Sequence, residues 1–498
     1  MFEAMLLGAK AVFSPLGVLY TMLGAAIGYV VGFLPGLSAS VGLSLLIPLT
    51  YGMNPALAMM MLCGLLGGVS FGGSITSILF NAPGEGANAA TSLDGYMMAR
   101  QGRGAEALGA SASSSFLGHL IGIVALIAVI PIMIRVVLLF GPPEWFSLGI
   151  GGLFLIASVS GGSMLSGLLG GAVGLLLSTH GVNPIVGEPR YTFGMMTLWD
   201  GVPLVTVIVG LMAIGEFIRL FSESEMISTT GKLEPGGTWS GIKASFTHLP
   251  LVAVSGIIGI VIGAVPGVGG NVSSWVALSQ GKAMSKHPEL FGKGSVEGVI
   301  APESANDSVQ GGALMPTLAL GIPGSPSTAV LLGAFMMHGL VPGQKMFTQN
   351  LPIVFAICWS HLLGAFVSCS IGLWLSIYLA RMTVVPSKIL APFLAIVSLL
   401  GVYATRQRIS DVILTIGFGL MGYWMGKCNF PRVPVILGFI LGPLIERSLQ
   451  VSLQLSDGSY AIFFTRPYSL VFMLFIPLSL VMSKLLTRGA KAFAKPPE

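Results

Sequence analysis

The stretch GAAIGYVVGFLPG, from Gly24 to Gly36, decides the fold because its pattern returns later as GIVIGAVPG, from Gly259 to Gly267. Four landmarks recur at a constant offset of 231 residues: Gly28, Gly32, Pro35 and Gly36 correspond to Gly259, Gly263, Pro266 and Gly267. Each copy is an apolar helix with glycine at every fourth position, ended by a Pro-Gly pair. The glycine face allows another helix to approach closely. The Pro-Gly break leaves backbone polar groups that need a partner.

A second pair of apolar segments shows the same organisation. The segment ending at Pro83 and Gly84 corresponds to one that ends 240 residues later, at Pro323 and Gly324. The sequence HLIG at 119–122 is matched by HLLG at 361–364. We therefore predict two homologous, inverted membrane repeats at 1–221 and 247–486, joined by a polar linker at 222–246 and followed by a basic cytoplasmic tail at 487–498. Duplicated segments interrupted by glycine and proline are typical of the binding sites of secondary transporters.

The composition indicates an integral membrane protein. Of the 498 residues, 54% are hydrophobic and 9% are charged, against about 25% charged in ordinary soluble domains. Many apolar stretches have the length of roughly 17 to 25 residues that a helix needs to cross a bilayer. We expect an all-α membrane protein with about 12 transmembrane helices, some of them broken or re-entrant. The first apolar segment has no basic region ahead of it, which predicts a retained span and not a cleaved signal peptide.

Charge and cysteine usage exclude other classes of function. The net charge of +5 is spread over short loops and the tail, as in a membrane protein with positive cytoplasmic segments, so we expect no nucleic-acid partner. The four cysteines have no metal-ligand spacing, which predicts no structural metal. No GxxxxGK[ST] phosphate-binding loop is present, so ATP is not the expected energy source.

The Pro-Gly breaks are the strongest functional signal. A helix that begins after a break directs unpaired N–H groups and the positive end of its dipole into the gap, where a carboxylate would fit. The alternative is that the breaks are kinks with capping residues. The predicted breaks are Pro35, Gly36, Pro83, Gly84, Pro266, Gly267, Pro323 and Gly324. The predicted substrate-binding residues are Ser38, Ser40, Asn81, Gly84, Asn271, Ser273, Ser274, Gly324, Ser325 and Ser327.

The segment APESANDSVQGG places Glu303, Asn306 and Asp307 within an otherwise apolar run. Ionisable groups at membrane depth usually serve an ion or substrate path. We predict a coupling-cation site formed by Asn306, Asp307 and Thr328, with Asp307 binding a cation or carrying a proton. The alternative is a solvated position at the membrane interface. The matched histidines, His119 and His361, are interpreted as interhelical hydrogen-bonding groups in preference to proton relays.

Two long blocks carry a resemblance to a known family. They are GGVSFGGSITSILFNAPGEGANAATSLDGYMMARQG and PESANDSVQGGALMPTLALGIPGSPSTAVLLGAFMMHGLVPG. Together with the paired Pro-Gly motifs, they resemble the large membrane subunit of the tripartite tricarboxylate transporter family across nearly the whole chain. A departure from the family pattern occurs at Asp307 and Gln310, where Asn and Ala are more usual.

The resemblance implies a multi-pass protein of the bacterial inner membrane. Its implied partners are a small four-helix membrane subunit, a periplasmic solute-binding protein and the lipid bilayer. Its implied substrate is a tricarboxylate such as citrate, or a related carboxylate. From the paired broken helices we expect import by alternating access, elevator-like by analogy. The coupling ion would be Na⁺ or H⁺, with no cofactor, and homo-oligomerisation stays open.

Two other functions remain as alternatives. Four glycine-rich breaks could line an anion channel. The GxSxG pattern at 68–72 resembles the nucleophile elbow of serine hydrolases, but it lies in an apolar helix without a preceding strand. The sequence therefore favours a transporter over a channel, and a channel over an enzyme.

Overall fold

The computed structural model describes residues 1–34, 36–159, 163–183, 187–222, 236–379 and 387–479. Pro35, most of the predicted polar linker and the predicted basic tail lie outside these residues. Within the described ranges the chain is helical apart from one short antiparallel pair of strands, β1 (Gly181–Val182) and β2 (Pro189–Arg190). The predicted all-α fold class is confirmed.

The helices are numbered along the chain. They are α1 Phe2–Val12, α2 Pro15–Phe33, α3 Ala39–Leu46, α4 Pro55–Phe80, α5 Ala89–Arg100, α6 Gly104–Val137, α7 Pro142–Val159, α8 Met164–Ser178, α9 Leu204–Ile208, α10 Gly215–Ser222, α11 Thr238–Thr247, α12 Leu249–Ala264, α13 Gly269–Met284, α14 Glu297–Leu320, α15 Pro326–Met337, α16 Gln344–Thr348, α17 Leu351–Leu379, α18 Ser387–Arg406, α19 Ile409–Lys427, α20 Arg432–Leu455, α21 Ile462–Thr465 and α22 Pro467–Met473. A π-helical turn at Val209–Ile214 joins α9 to α10. Helix α11 occupies the last part of the predicted linker.

Many of these helices are suited to a bilayer. Seven described helices are long and apolar enough to cross a membrane, and the pair α11 and α12, bent by 75°, would make an eighth. Five shorter apolar helices accompany them. The seven span Pro15–Phe33, Pro55–Phe80, Gly104–Val137, Leu204–Ser222, Leu351–Ser376, Ile409–Lys427 and Arg432–Leu455. The chain is therefore a multi-pass membrane protein, and the number of about 12 crossings stays a prediction.

Glycines bring α2 against the backbone of α4. A Cβ atom added to Gly28 would lie 2.2 Å from the Leu65 carbonyl oxygen, and one added to Gly32 would lie 2.0 Å from the Val69 carbonyl oxygen. Only a residue without a side chain fits at such distances. The glycine at every fourth position therefore forms the contact face of α2, as its spacing predicts.

The second half repeats this packing between α12 and α14. A Cβ atom on Gly259 would lie 2.3 Å from the Ala305 carbonyl oxygen, and one on Gly263 would lie 2.5 Å from that of Val309. Ala305 and Val309 are the positions 240 residues after Leu65 and Val69. The sequence repeat thus corresponds to a repeated helix contact, while the boundaries of the predicted repeats stay predictions.

Helices α4 and α14 correspond through the same offset, and they run antiparallel to each other. Ser70 on α4 contacts Asn306 on α14, whereas Ser74, one turn later, contacts Glu303, nearly one turn earlier. Equivalent helices that run in opposite directions are what an inverted repeat requires. Inversion across a membrane remains a prediction.

The glycine contacts predict a stability difference between matched substitutions. Gly28→Ala and Gly259→Ala should each destabilise the protein by about 1–3 kcal/mol, because the added methyl group has no space between the helices. The measurement is the thermal denaturation midpoint of the purified protein in detergent. Gly417→Ala is the control, since Gly417 is helical, exposed and has no atom within 4 Å of an added Cβ. An equal loss in all three variants would contradict the interpretation.

Candidate functional site

The Pro-Gly breaks lie in adjacent pairs, one pair in each half. Gly84, at the end of the second apolar segment, packs on Gly32 near the end of the first, and an added Cβ would lie 2.2 Å from the Gly32 carbonyl oxygen. Gly324 packs on Gly263 with the same distance of 2.2 Å. The two breaks of each half therefore share one location. This is the geometry of two interrupted segments that face each other.

The backbone at the first break of each pair has the same conformation. Gly36 and Gly267 both have a φ of 83°, in the left-handed region that favours glycine. The helices that precede the second breaks also end alike. Asn81 follows α4 with a φ of 53° and Gly321 follows α14 with a φ of 66°. The four breaks are thus built in two equivalent pairs.

The pairs from the two halves adjoin each other. A Cβ atom on Gly86 would lie 2.9 Å from the Asn271 side-chain nitrogen, and one on Gly270 would lie 3.3 Å from the Ala87 Cβ. The loop after the first-half break therefore packs on the first turn of α13 in the second half. Helix α3 likewise contacts α15. The helix ends at the four breaks therefore lie close together, between the two halves.

The helix N-termini at this convergence are capped in different ways. The Glu85 carboxylate accepts a hydrogen bond from the Ala39 N–H at the start of α3. At α15, the Thr328 N–H donates to the Ser325 hydroxyl at 3.2 Å and the Ser325 N–H donates to the Thr328 hydroxyl at 2.9 Å. Helix α13 begins after Val268, which supplies no side-chain cap.

The residues predicted to bind substrate occupy this region, but they differ in exposure and in whether their side chains are already hydrogen-bonded. Asn271 is exposed, whereas the buried hydroxyls of Ser273 and Ser274 donate to the Gly270 carbonyl oxygen of their own helix. The remaining predicted side chains pair locally or face outward: Ser38 with Ser40 at 2.9 Å, Ser325 with Ser327 at 3.0 Å, and Asn81, which is exposed. Asn271 is therefore the predicted polar group of α13 that can reach a ligand.

Two charged groups at the breaks were not identified from the sequence. Glu85 caps α3 through the Ala39 N–H. Arg219 of α10 places its guanidinium 3.1 Å from where a Cβ on Gly36 would lie, and it also pairs with Glu216 at 2.6 Å. Arg219 follows Gly36 by 183 residues, so no local pattern could indicate their contact.

A buried acid lies beside the breaks. Glu303 is completely buried, which rules out the alternative of a solvated position at the membrane interface. Its carboxylate accepts hydrogen bonds from four hydroxyl groups, here called the hydroxyl cage. The cage consists of Ser74 at 2.8 and 2.9 Å, Thr91 at 2.5 Å, Ser111 at 3.0 Å and Ser115 at 2.7 Å. Helices α4, α5 and α6 thus contribute donors to one acid of α14.

Asn306 and Asp307, on the next turn of α14, are also buried. Asn306 donates to the Ser70 hydroxyl at 2.8 Å. The Asp307 carboxylate lies 3.3 Å from Nδ1 of His119. Thr328, the third predicted cation ligand, lies in the cap of α15, and within the described residues no hydrogen bond joins it to Asn306 or Asp307.

Asp94 of α5 and Arg103, in the turn after that helix, make structural contacts. Asp94 accepts hydrogen bonds from the backbone N–H groups of Gly292, Gly294 and Ser295 at 2.8–2.9 Å. Arg103 pairs with Glu106 at 2.8 Å and donates to the Gly294 carbonyl oxygen at 3.1 Å. The contacts of Asp94 and Arg103 with residues 292–295 therefore tie the two halves together.

The fold and site define a class: a helical membrane protein whose interrupted, glycine-packed segments meet between two similar halves. Residues 18–437 match the model of the tripartite tricarboxylate transporter TctA family. The chain belongs to this family. Its members are subunits of tripartite tricarboxylate transporters. The resemblance drawn from the sequence is thereby confirmed.

Two proteins of Agrobacterium vitis are similar to the chain. One, described as an uncharacterized 52.8 kDa protein in the TAR-I ttuC' 3' region, is 34% identical over 462 residues, which is 93% of this chain and 92% of the relative. The other, from the TAR-II ttuC' 3' region, is 34% identical over 209 residues, which is 42% of this chain and 86% of the relative. No solved structure matches the chain.

The hydroxyl cage predicts that Glu303 is needed in its carboxylate form. Glu303→Gln replaces an acceptor oxygen by an NH₂ group, so at least one buried hydroxyl loses its acceptor, at a cost of about 1–3 kcal/mol. The measurement is the thermal denaturation midpoint in detergent. Glu289→Gln is the matched control, because the Glu289 side chain is 62% exposed. A Glu303→Gln midpoint equal to that of the control would contradict the assigned role.

Proposed function

We propose that the chain is the large membrane subunit of a secondary transporter that imports citrate-like tricarboxylates or related carboxylates. A periplasmic solute-binding protein would deliver the substrate, and a small four-helix membrane subunit would complete the complex in the bacterial inner membrane. A Na⁺ or H⁺ gradient would drive import. The observation that carries the proposal is the convergence of four helix breaks between two halves, in a chain of the TctA family.

The substrate carboxylate is assigned to the first turn of α13. The N-terminus of α3 already holds the Glu85 carboxylate, and that of α15 is closed by Ser325 and Thr328. Helix α13 has no side-chain cap and carries the exposed Asn271. A helix N-terminus attracts anions through its N–H groups and its dipole. The asymmetry between the halves therefore points to one substrate site and not two.

Arg219 supports an anionic substrate. Its guanidinium lies at the first break, where it adds positive charge to the region between the halves. Arginine binds carboxylates through paired N–H donors. Because Arg219 also contacts Glu216, substrate binding would share or rearrange this ion pair.

The proposed mechanism is alternating access. The interrupted segments of both halves form one packed unit, since α3 contacts α15 and the loop around Gly86 contacts α13. Movement of this unit against the remaining helices would expose the site to one side of the membrane and then to the other. An elevator-like displacement is the form of this motion that paired re-entrant segments suggest by analogy.

Proteoliposome uptake separates this function from an anion channel. The complete complex with its binding protein should give saturable, concentrative carboxylate uptake that requires an imposed Na⁺ or H⁺ gradient. Flux that is independent of a gradient and does not saturate would instead establish a channel. A hydrolase is disfavoured, because the Ser70 hydroxyl accepts a hydrogen bond from Asn306 and, among the described residues, no histidine hydrogen-bonds to it.

Matched variants of α13 test the position of the substrate. Asn271→Ala should raise the substrate concentration for half-maximal uptake about tenfold or more, because it removes a hydrogen bond to a charged group, worth about 1.5–3 kcal/mol. Ser273→Ala is the control, since its hydroxyl is bonded within the helix. The measurement is initial uptake rate against substrate concentration. Similar kinetics for both variants would place the site elsewhere.

A further inference from the structure

We infer that Asp307, paired with His119, is the proton-binding site that couples transport to a H⁺ gradient. This inference rests on the proposed transport function and adds the identity of the coupling ion and its residues. It follows from unpartnered buried groups on α6, α14 and α17. Asp307 directly follows Asn306, whose side chain adjoins the first turn of α13.

Asp307 is completely buried without the donors that a carboxylate needs. The hydroxyls of Ser70 and Ser115 lie beside it, but neither carboxylate oxygen accepts a hydrogen bond of ordinary geometry from the described residues. An ionised carboxylate without donors or a cation is strongly disfavoured in a buried position. Asp307 therefore requires a bound proton or another positive charge.

Glu303 takes the Ser115 hydroxyl, one of the two hydroxyls beside Asp307. The hydroxyl cage directs its O–H groups at Glu303, and a carboxylate that receives four donors is stabilised in its charged form. Ser115, which also lies beside Asp307, donates to Glu303. The hydroxyl donors thus belong to Glu303, and negative charges on Glu303 and Asp307, one turn apart on α14, would repel each other. The two acids differ in role because one has donors and the other does not.

Histidine is the group that faces the unpartnered acid. Nδ1 of His119 lies 3.3 Å from the Asp307 carboxylate and 3.2 Å from the Ser115 carbonyl oxygen. The ring of His361 lies 4.9 Å from that of His119. Nε2 of His119 and both ring nitrogens of His361 have no hydrogen-bond partner among the described residues. A carboxylate beside one imidazole, which in turn contacts a second, can accept and pass on a proton.

The other groups around Asp307 are consistent with one exchangeable proton. The titratable neighbours that interact with its charge are Glu303 on α14, Cys369 on α17 and Glu85 at the breaks. Helices α4 and α12 present Ser70 and Gly259 on their sides that face α14. Neither Ser70 nor Gly259 can neutralise the acid.

The site exists in one half only. The position equivalent to Asp307 in the first half is Gly67, where an added Cβ would lie 2.6 Å from the His361 carbonyl oxygen. The position equivalent to Glu303 is Cys63. His361, the counterpart of His119, therefore has no acid of its own. One proton site per chain follows from this asymmetry.

The donor set favours a proton over Na⁺. Hard cations bind in proteins through several oxygen ligands, whereas Asp307 faces an imidazole nitrogen and the nearby Ser115 hydroxyl donates to Glu303. In the proposed step, Asp307 takes one proton from the outer solution through its imidazole neighbours and releases it to the inner solution.

The test uses the complete transporter complex in proteoliposomes, in sodium-free buffer. An inward H⁺ gradient should drive concentrative carboxylate uptake, and a pH-sensitive dye inside should report substrate-dependent acidification. Asp307→Asn should abolish both while retaining exchange of labelled for unlabelled substrate without a gradient. Asp457→Asn, at an exposed carboxylate, is the control and should behave as the wild type.

The outcomes separate this inference from the proposed function. Absence of substrate exchange in the wild type would overturn the proposed function. Wild-type transport that needs Na⁺ and ignores the H⁺ gradient, or proton coupling that persists in Asp307→Asn, would overturn only the coupling site. If Asp307→Asn does not fold, His119→Gln provides the second arm. It should reduce H⁺-driven uptake at least tenfold and shift its pH profile, and an unchanged profile would contradict the inference.

Discussion

The close backbone contact between glycine-faced helices is the constraint on which the rest of the structure depends. Gly28 and Gly32 bring α2 onto α4, and Gly259 and Gly263 bring α12 onto α14. Without a hydrophobic driving force between helices in lipid, such packing holds the segments together. The same packing determines where the breaks lie, because the two packed segments of each half end beside each other at their Pro-Gly pairs. The site is thus a consequence of how the helices pack.

The sequence predicted the parts of the site that depend on local pattern. Glycine spacing identified the packing faces, and the Pro-Gly pairs identified the breaks and their duplication. Contacts between distant segments could not be predicted, because they depend on how helices are placed in space. Glu85 reaches the start of α3, and Arg219 reaches Gly36 from α10. The hydroxyls that surround Glu303 come from three helices. Their sequence positions did not identify them as its partners, because serines in membrane helices make many kinds of contact.

The structural asymmetry between the halves explains how a duplicated chain acquires single sites. Equivalent positions hold Glu85 and Ser325, and each forms a reciprocal cap with the residue three positions later. The Glu85 carboxylate also accepts a hydrogen bond from the Ala39 N–H at the start of α3, whereas α13, the counterpart of α3, has no side-chain cap. The glycine contacts that shape the halves are retained in both, whereas the charged groups are not. The glycine contacts are repeated because the helices of both halves must approach each other equally closely. The charged groups need not be repeated, since a second buried acid would cost free energy without adding a function.

Asn306 gives the two proposed sites a common support. Its side chain donates to Ser70 on α4, and its amide oxygen lies 2.6 Å from where a Cβ on Gly270 would be, in the first turn of α13. It precedes Asp307 on α14. A displacement of α13 that follows substrate binding must therefore change the contacts of Asn306, and with them the position of the neighbouring acid relative to His119. An anion at the breaks and a proton at Asp307 can therefore be coupled over a short distance, because Asn306 contacts α13 at the breaks and is the neighbour of Asp307 along α14.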